Sequence, residues 1–108
     1  MPLRDEIAEL LNLPENGAGA PSLDMIEATL TDGYAAKLAL EAERWRIEQR
    51  LGMVARDAGE VKAHGVVAEL AELSDRLETT DGELARLRSL LHKLQGVRRR
   101  RKAAAPAG

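Results

Sequence analysis

Residues 63–94 read AHGVVAELAELSDRLETTDGELARLRSLLHKL, and this stretch decides the fold. Within it, ten positions follow one another at alternating spacings of three and four residues, and nine of the ten are apolar. Such heptad spacing is typical of a long helix that buries one narrow stripe against another helix. We call this stripe the leucine seam; its members are Ala63, Val66, Leu70, Leu73, Leu77, Thr80, Leu84, Leu87, Leu91 and Leu94.

An earlier stripe with the same spacing is weaker, because Gly33, Lys37 and Arg44 interrupt it. The two stripes differ in phase by two positions, which the usual insertions of three or four residues in a heptad pattern do not explain. We therefore expect the chain to reverse between them, so that the leucine seam packs against the first stripe of the same chain. The first stripe consists of Ile26, Leu30, Gly33, Lys37, Leu40, Arg44, Ile47, Leu51 and Val54.

The reversal is predicted within residues 52–59, with Gly52 in the left-handed position after one helix and Asp57 as the N-cap of the next. A turn at His64 and Gly65 is an alternative, and so is one unbroken helix from about residue 24 to about residue 95, dimerised along its length. A turn near residue 56 would place the two Thr-Asp-Gly triplets of the chain at the same height. The triplets would then mark a close approach of the two helices, or two unrelated positions at which glycine weakens each helix.

The remaining segments flank this hairpin, which we assign to residues 22–97. Residues 1–13 form a short amphipathic helix that ends before Pro14, since proline disfavours helix in the residue before it. Residues 14–21 are rich in glycine, proline and other turn formers and are predicted to be a flexible linker. The next helix begins at Ser22 or Asp24, with Glu27 as the capping-box partner of Asp24. Residues 98–108 are predicted to be a basic disordered tail.

The first long helix is apolar on two sides. Tyr34, Leu38, Ala42 and Trp45 cluster roughly opposite the apolar members of the first stripe, so they need a cover of their own. Either the N-terminal helix or the same face of another protomer would supply it. We favour the second, and predict an all-α, antiparallel, coiled-coil-like hairpin that dimerises into a helix bundle through these four residues.

The strongest candidate for ligand binding is a run of five adjacent cations near the C-terminus, while residues 1–97 carry a formal charge of −7. Such a run can neutralise phosphates and would bind nucleic acid or another polyanion in a salt-dependent way. No aromatic residue lies within it to stack on bases. A solubilising tail, or cations that favour a helix C-terminus, is the alternative. The five residues are Arg98, Arg99, Arg100, Arg101 and Lys102.

We expect no enzyme, cofactor or metal site. The chain has no cysteine, and its two histidines, His64 and His92, are far apart in sequence and lack a metal-ligand spacing. Residues 1–13 have no signal-peptide core, and no apolar run is long enough for a transmembrane helix. The expected location is therefore cytoplasmic.

These features favour a non-enzymatic adaptor, scaffold or small regulatory protein that self-associates and has an unidentified protein partner. An export substrate or a phage-type structural protein is the alternative. The chain looks like the small secreted WXG-type proteins in length and hairpin, but Arg46 and Ile47 follow Trp45, so their Trp-x-Gly turn is missing. The segment from Leu3 to Ile7 resembles the start of the all-helical chorismate mutases, which makes such an enzyme a remote alternative.

Overall fold

The computed structural model describes residues 2–57 and 63–104, and these residues form three α-helices and no strand. Helix α1 spans Pro2–Asn12, α2 spans Leu23–Asp57 and α3 spans Ala63–Ala104. Helices α2 and α3 pack against each other, which confirms the predicted all-α hairpin with a short N-terminal helix. This packing also excludes a single unbroken helix. None of the described helices is both long and apolar enough to cross a membrane.

The particular residues predicted to form the turn are helical as far as the structure describes them. Gly52 lies inside α2 and has no positive φ, Asp57 is the last residue of α2 and not a cap of α3, and Gly65 lies inside α3. Helix α2 continues past Gly52 because Val54 is buried in the same cluster as Val66 of α3, and this packing outweighs the roughly 1 kcal/mol cost of a helical glycine. Residues 58–62, and with them the end of the predicted turn, lie outside the described residues.

The start of α2 depends on Ser22. Its hydroxyl oxygen accepts a hydrogen bond from the Met25 backbone N–H at 3.0 Å, which makes Ser22 the N-cap. Asp24 therefore lies in the first turn of α2, where a carboxylate is favourable, and cannot act as the N-cap of the expected capping box. Glu27 pairs instead with Arg98 of α3.

The chain divides into two compact units. The first, which we call the three-helix unit, contains α1, α2 up to Lys37 and α3 from Arg86 onward. The second, the two-helix unit, is Leu38–Ala85 and contains the rest of the hairpin. Each unit has a core of its own.

The core of the three-helix unit contains the four largest fully buried side chains of the described residues: Ile7, Ile26, Leu87 and Leu94. The packing around Gly33 explains why the first stripe contains a glycine. A Cβ atom at that position would overlap the Leu91 Cδ2 methyl and would lie 3.6 Å from the Ile7 Cδ1 atom. Gly33 therefore lets α1 and α3 approach α2 closely. Its neighbour on α3 is Leu91. A turn near residue 56 would instead have placed Gly33 at the height of the second Thr-Asp-Gly triplet.

The two-helix unit has a thinner core. Ile47 and Val54 of α2 are buried with Val66 and Leu73 of α3. The partly buried side chains packed against this cluster are Leu51, Leu70 and Leu77.

Ion pairs between α2 and α3 flank this core at the edge of the two-helix unit. The shortest N–O distances are 2.5 Å for Arg44 to Asp81, 2.6 Å for Arg50 to Glu69 and 2.9 Å for Arg76 to Glu43. Such exposed pairs add little stability, but their positions suit only one register of the two helices.

Candidate association face and basic groove

One face of α2 in the two-helix unit is uncovered. The side chains of Leu38 and Trp45 are 66% and 61% exposed, although both are large and apolar. With Ala42 and Gln49, which are also exposed, and the partly buried Gly52, they form a stripe at heptad spacing without a charged residue. We call these five residues the outer stripe. An uncharged stripe on a helix that is otherwise rich in Arg and Glu is typical of a helix that packs against a further helix.

Tyr34 was predicted to share this face, but it belongs to the three-helix unit. Its hydroxyl oxygen accepts a hydrogen bond from the Gln95 side-chain amide at 2.5 Å, so the residue is already engaged within its own chain. In the three-helix unit α1 packs against α2 on the side of Gly33, where Ile7 is completely buried, and no described contact places α1 on Tyr34. The N-terminal helix therefore covers α2 in its own unit.

The basic segment near the C-terminus is helical as far as Ala104, so residues 98–104, which we expected to be disordered, continue α3. Residues 105–108 lie outside the described residues. Successive helical side chains point about 100° apart, which lets adjacent cations reach different partners. We expected this segment to be disordered because we treated the five cations as crowded together, whereas a helix separates their side chains.

Four of the five cations contact other parts of the chain. Arg98 lies 3.3 Å and Lys102 lies 3.8 Å from the same carboxylate oxygen of Glu27. Arg101 donates a hydrogen bond to the backbone carbonyl of Pro21 at 2.5 Å. These contacts attach the end of α3 to the start of α2.

The fourth contact is with the predicted linker. Arg100 donates to both carboxylate oxygens of Glu15, at 2.6 and 2.9 Å. The hydrogen bond from Arg100 lowers the pKa of Glu15, and the same bond raises the pKa of Arg100. Residues 14–21 are thus held at Glu15 and at the buried Pro21, while Gly17 and Gly19 adopt positive φ between these two points.

Arg99 differs from its neighbours because it makes no ion pair with any described residue. It lines an open groove of about 520 Å³ in the three-helix unit. No carboxylate is among the lining residues, which are Tyr34, Lys37, Arg88, Leu91, His92, Gln95, Arg98 and Arg99. We call this the basic groove. Sequence reasoning missed it because Lys37 and Arg88 lie far from the C-terminal run, and only the register of α2 against α3 brings them together.

Among the described residues, no group of three or more His, Cys, Asp or Glu side chains is placed to hold a metal ion. His92 lines the basic groove, whereas the side chain of His64 lies outside the described part of the chain.

A second open groove, of about 560 Å³, lies between α1 and the start of α2. Leu10, Leu13 and Met25 give it an apolar character, and Glu6 and Glu9 stand at its border. It resembles the outer stripe in exposing apolar side chains and differs from it in carrying two acids.

No protein-family model, curated protein or solved structure matches this chain.

Proposed function

We propose that this protein is a helical adaptor that works by self-association, and that the outer stripe of α2 is the surface through which two copies bind. The observation that supports this most is the exposure of Leu38 and Trp45 on an uncharged stripe. Isolated exposed apolar residues are common in monomeric proteins, but a heptad-spaced stripe that includes the single tryptophan of the chain is not.

A second copy suits this stripe because the stripe is self-complementary. Leu38 lies four residues before Ala42 and Trp45 lies three residues after it. When two such helices pack antiparallel about Ala42, Leu38 of one copy faces Trp45 of the other, as a two-fold interface requires. The small side chain of Ala42 at the centre allows the helix axes to approach, and two hairpins joined in this way form a four-helix bundle.

The strength of this association follows from the buried area. Burial of one large apolar side chain contributes about 2 kcal/mol, and the two-fold symmetry buries four, two Leu38 and two Trp45. The total of about 8 kcal/mol is comparable with the roughly 4–15 kcal/mol that association costs in lost freedom. We therefore expect a weak dimer that dissociates on dilution, and not a permanent one.

The groove between α1 and α2 is a weaker candidate for the same role. Glu6 and Glu9 at its border would meet like charges if two copies paired there, and like charges in an interface are unfavourable. Both surfaces expose apolar side chains, but only the groove between α1 and α2 carries acids. The absence of charge therefore favours the outer stripe as the dimer interface.

Sedimentation equilibrium of matched variants tests the proposal. Leu38→Glu places a charge in the outer stripe, and Val67→Glu places the same charge on α3 in the same unit, at a side chain that is equally exposed, 64% against 66%. We expect the unsubstituted protein and Val67→Glu to show the same monomer–dimer equilibrium, and Leu38→Glu to remain monomeric. Because both positions are exposed, neither variant should lose helicity.

Two results would reject the proposal. One is a purely monomeric protein up to about 200 µM, where even a weak dimer would be populated. The other is equal dissociation in both variants, which would show that added charge, and not the outer stripe, controls association.

A further inference from the structure

We propose that the basic groove binds single-stranded nucleic acid through its phosphate backbone, with Tyr34 stacking on a base. This site lies in the three-helix unit and does not depend on self-association. It also differs from the disordered polycation that the sequence predicts, since only Arg98 and Arg99 belong to both sets of residues.

The charges of the groove favour an anion. Four side chains of its lining, Lys37, Arg88, Arg98 and Arg99, carry a positive charge, and no lining residue carries a negative one. Arg98 pairs with Glu27, and Lys37 and Arg88 also have interactions within the chain, so these three cations contribute less than Arg99. Although the whole chain has a formal charge of −2, the local potential decides where a polyanion binds.

The arrangement of these groups along α3 favours an elongated ligand. From Arg88 to Arg99 the helix rises about 16 Å, with His92 and Gln95 between them as further hydrogen-bonding groups. This length exceeds that of one phosphate group, so several consecutive phosphates of one strand can lie along it. The groove is open, so a chain can pass through it without being enclosed.

The aromatic ring of Tyr34 would favour a single strand over a duplex. Its ring is 37% exposed and lines the groove, and the hydrogen bond from Gln95 to its hydroxyl oxygen holds it in place. Unpaired bases stack on such rings, whereas the bases of a duplex are already stacked on one another. The combination of a basic groove and an aromatic ring is the general design of single-strand binding sites.

Fluorescence anisotropy with a labelled oligonucleotide of about ten residues, at about 50 to about 200 mM salt, tests the site. The unsubstituted protein should bind with an affinity that falls as salt rises. Arg99→Gln should weaken binding and reduce the slope of log K against log salt by about 0.7, the value for one lost phosphate contact of a single strand. Arg88→Gln combined with Arg99→Gln should reduce the slope further, by at most about 1.4 in total.

The same helix offers a matched control. Arg86 and Lys93 lie on α3 in the same unit, are exposed and do not line the groove. Arg86→Gln combined with Lys93→Gln removes the same two charges, and we expect it to leave the salt slope unchanged. Tyr34→Ala should weaken single-strand binding about fivefold or more without changing the slope, since stacking releases no counterions.

Several outcomes would overturn the proposal. Absence of binding at low salt, or equal losses in the groove variants and in the control variant, would show that the groove is not a site. Tighter binding of a duplex than of the single strand, or no effect of Tyr34→Ala, would reject single-strand recognition. Displacement of the oligonucleotide by an equal concentration of tripolyphosphate would assign the groove to a small anion and reject the polymer.

Discussion

The two units of this protein are built from the same two long helices but differ in how far the apolar side chains of these helices are covered. In the three-helix unit, α1 covers α2, and all four of the largest fully buried side chains are found there. In the two-helix unit, which contains no part of α1, Leu38, Trp45 and Val67 are the most exposed large apolar side chains described. The cover supplied by α1 is therefore local, and Leu38–Ala85 lacks an equivalent among the described residues.

The largest effect expected from this comparison is on stability. Leu87 of the three-helix unit is completely buried, whereas Leu77 of the two-helix unit is only partly buried. An unpaired charge in a core costs several kcal/mol, so Leu87→Asp should unfold the protein or lower its free energy of unfolding by about 3–5 kcal/mol. Leu77→Asp should cost clearly less. Urea denaturation followed by circular dichroism measures both, and equal losses would remove the distinction between a thick and a thin core.

A smaller effect tests the cover itself. Ile7 fills the space between α1 and Gly33, and Ile7→Ala should lower the free energy of unfolding by about 2–4 kcal/mol through the cavity that it leaves. The loss should be local. Amide hydrogen exchange should become faster in residues 23–33 of α2, which lie in the three-helix unit, and change little in residues 43–54 of the two-helix unit. Uniformly faster exchange in both ranges would show that the units do not behave separately.

The smallest effect concerns the ion pair that holds the linker. The hydrogen bond from Arg100 lowers the pKa of Glu15 in the folded protein, so this pair stabilises the fold above the ordinary carboxyl pKa of about 4 and its contribution is lost as the pH falls through the lowered value. Glu15→Gln should therefore be slightly less stable than the unsubstituted protein at pH 7. The difference should vanish in acid. Urea denaturation at several pH values measures this, and a difference that persists at low pH would exclude the ion pair as its cause.

Much of the fold could be predicted from spacing alone. The alternation of three and four residues shows two stripes, and their difference in phase requires a reversal of the chain. The position of that reversal could not be predicted, because Gly52 is a residue type that often ends helices. In the structure the helix continues past Gly52, and Val54 is buried against α3. The register between the helices depends on where the turn lies, which is why the contact of Gly33 with Leu91 could not be predicted.

The candidate sites were predictable to different degrees. Leu38 and Trp45 stand out in the sequence because a helical wheel places them opposite the first stripe. The basic groove could not be predicted in the same way, since Lys37 and Tyr34 join Arg99 only through the register of α2 against α3. The partners of the C-terminal cations were missed for the same reason, because Glu15 and Glu27 are distant in sequence.

Trp45 is the only tryptophan of the chain, so its fluorescence reports on whether the outer stripe joins two copies. Tryptophan emission shifts to shorter wavelength when the ring leaves water, so the most direct test is the emission maximum of the unsubstituted protein between about 1 and about 200 µM, over which the fraction of dimer should rise. We predict a shift to shorter wavelength with rising concentration that Leu38→Glu abolishes and Val67→Glu retains. An emission maximum that stays at long wavelength across this range would contradict the claim.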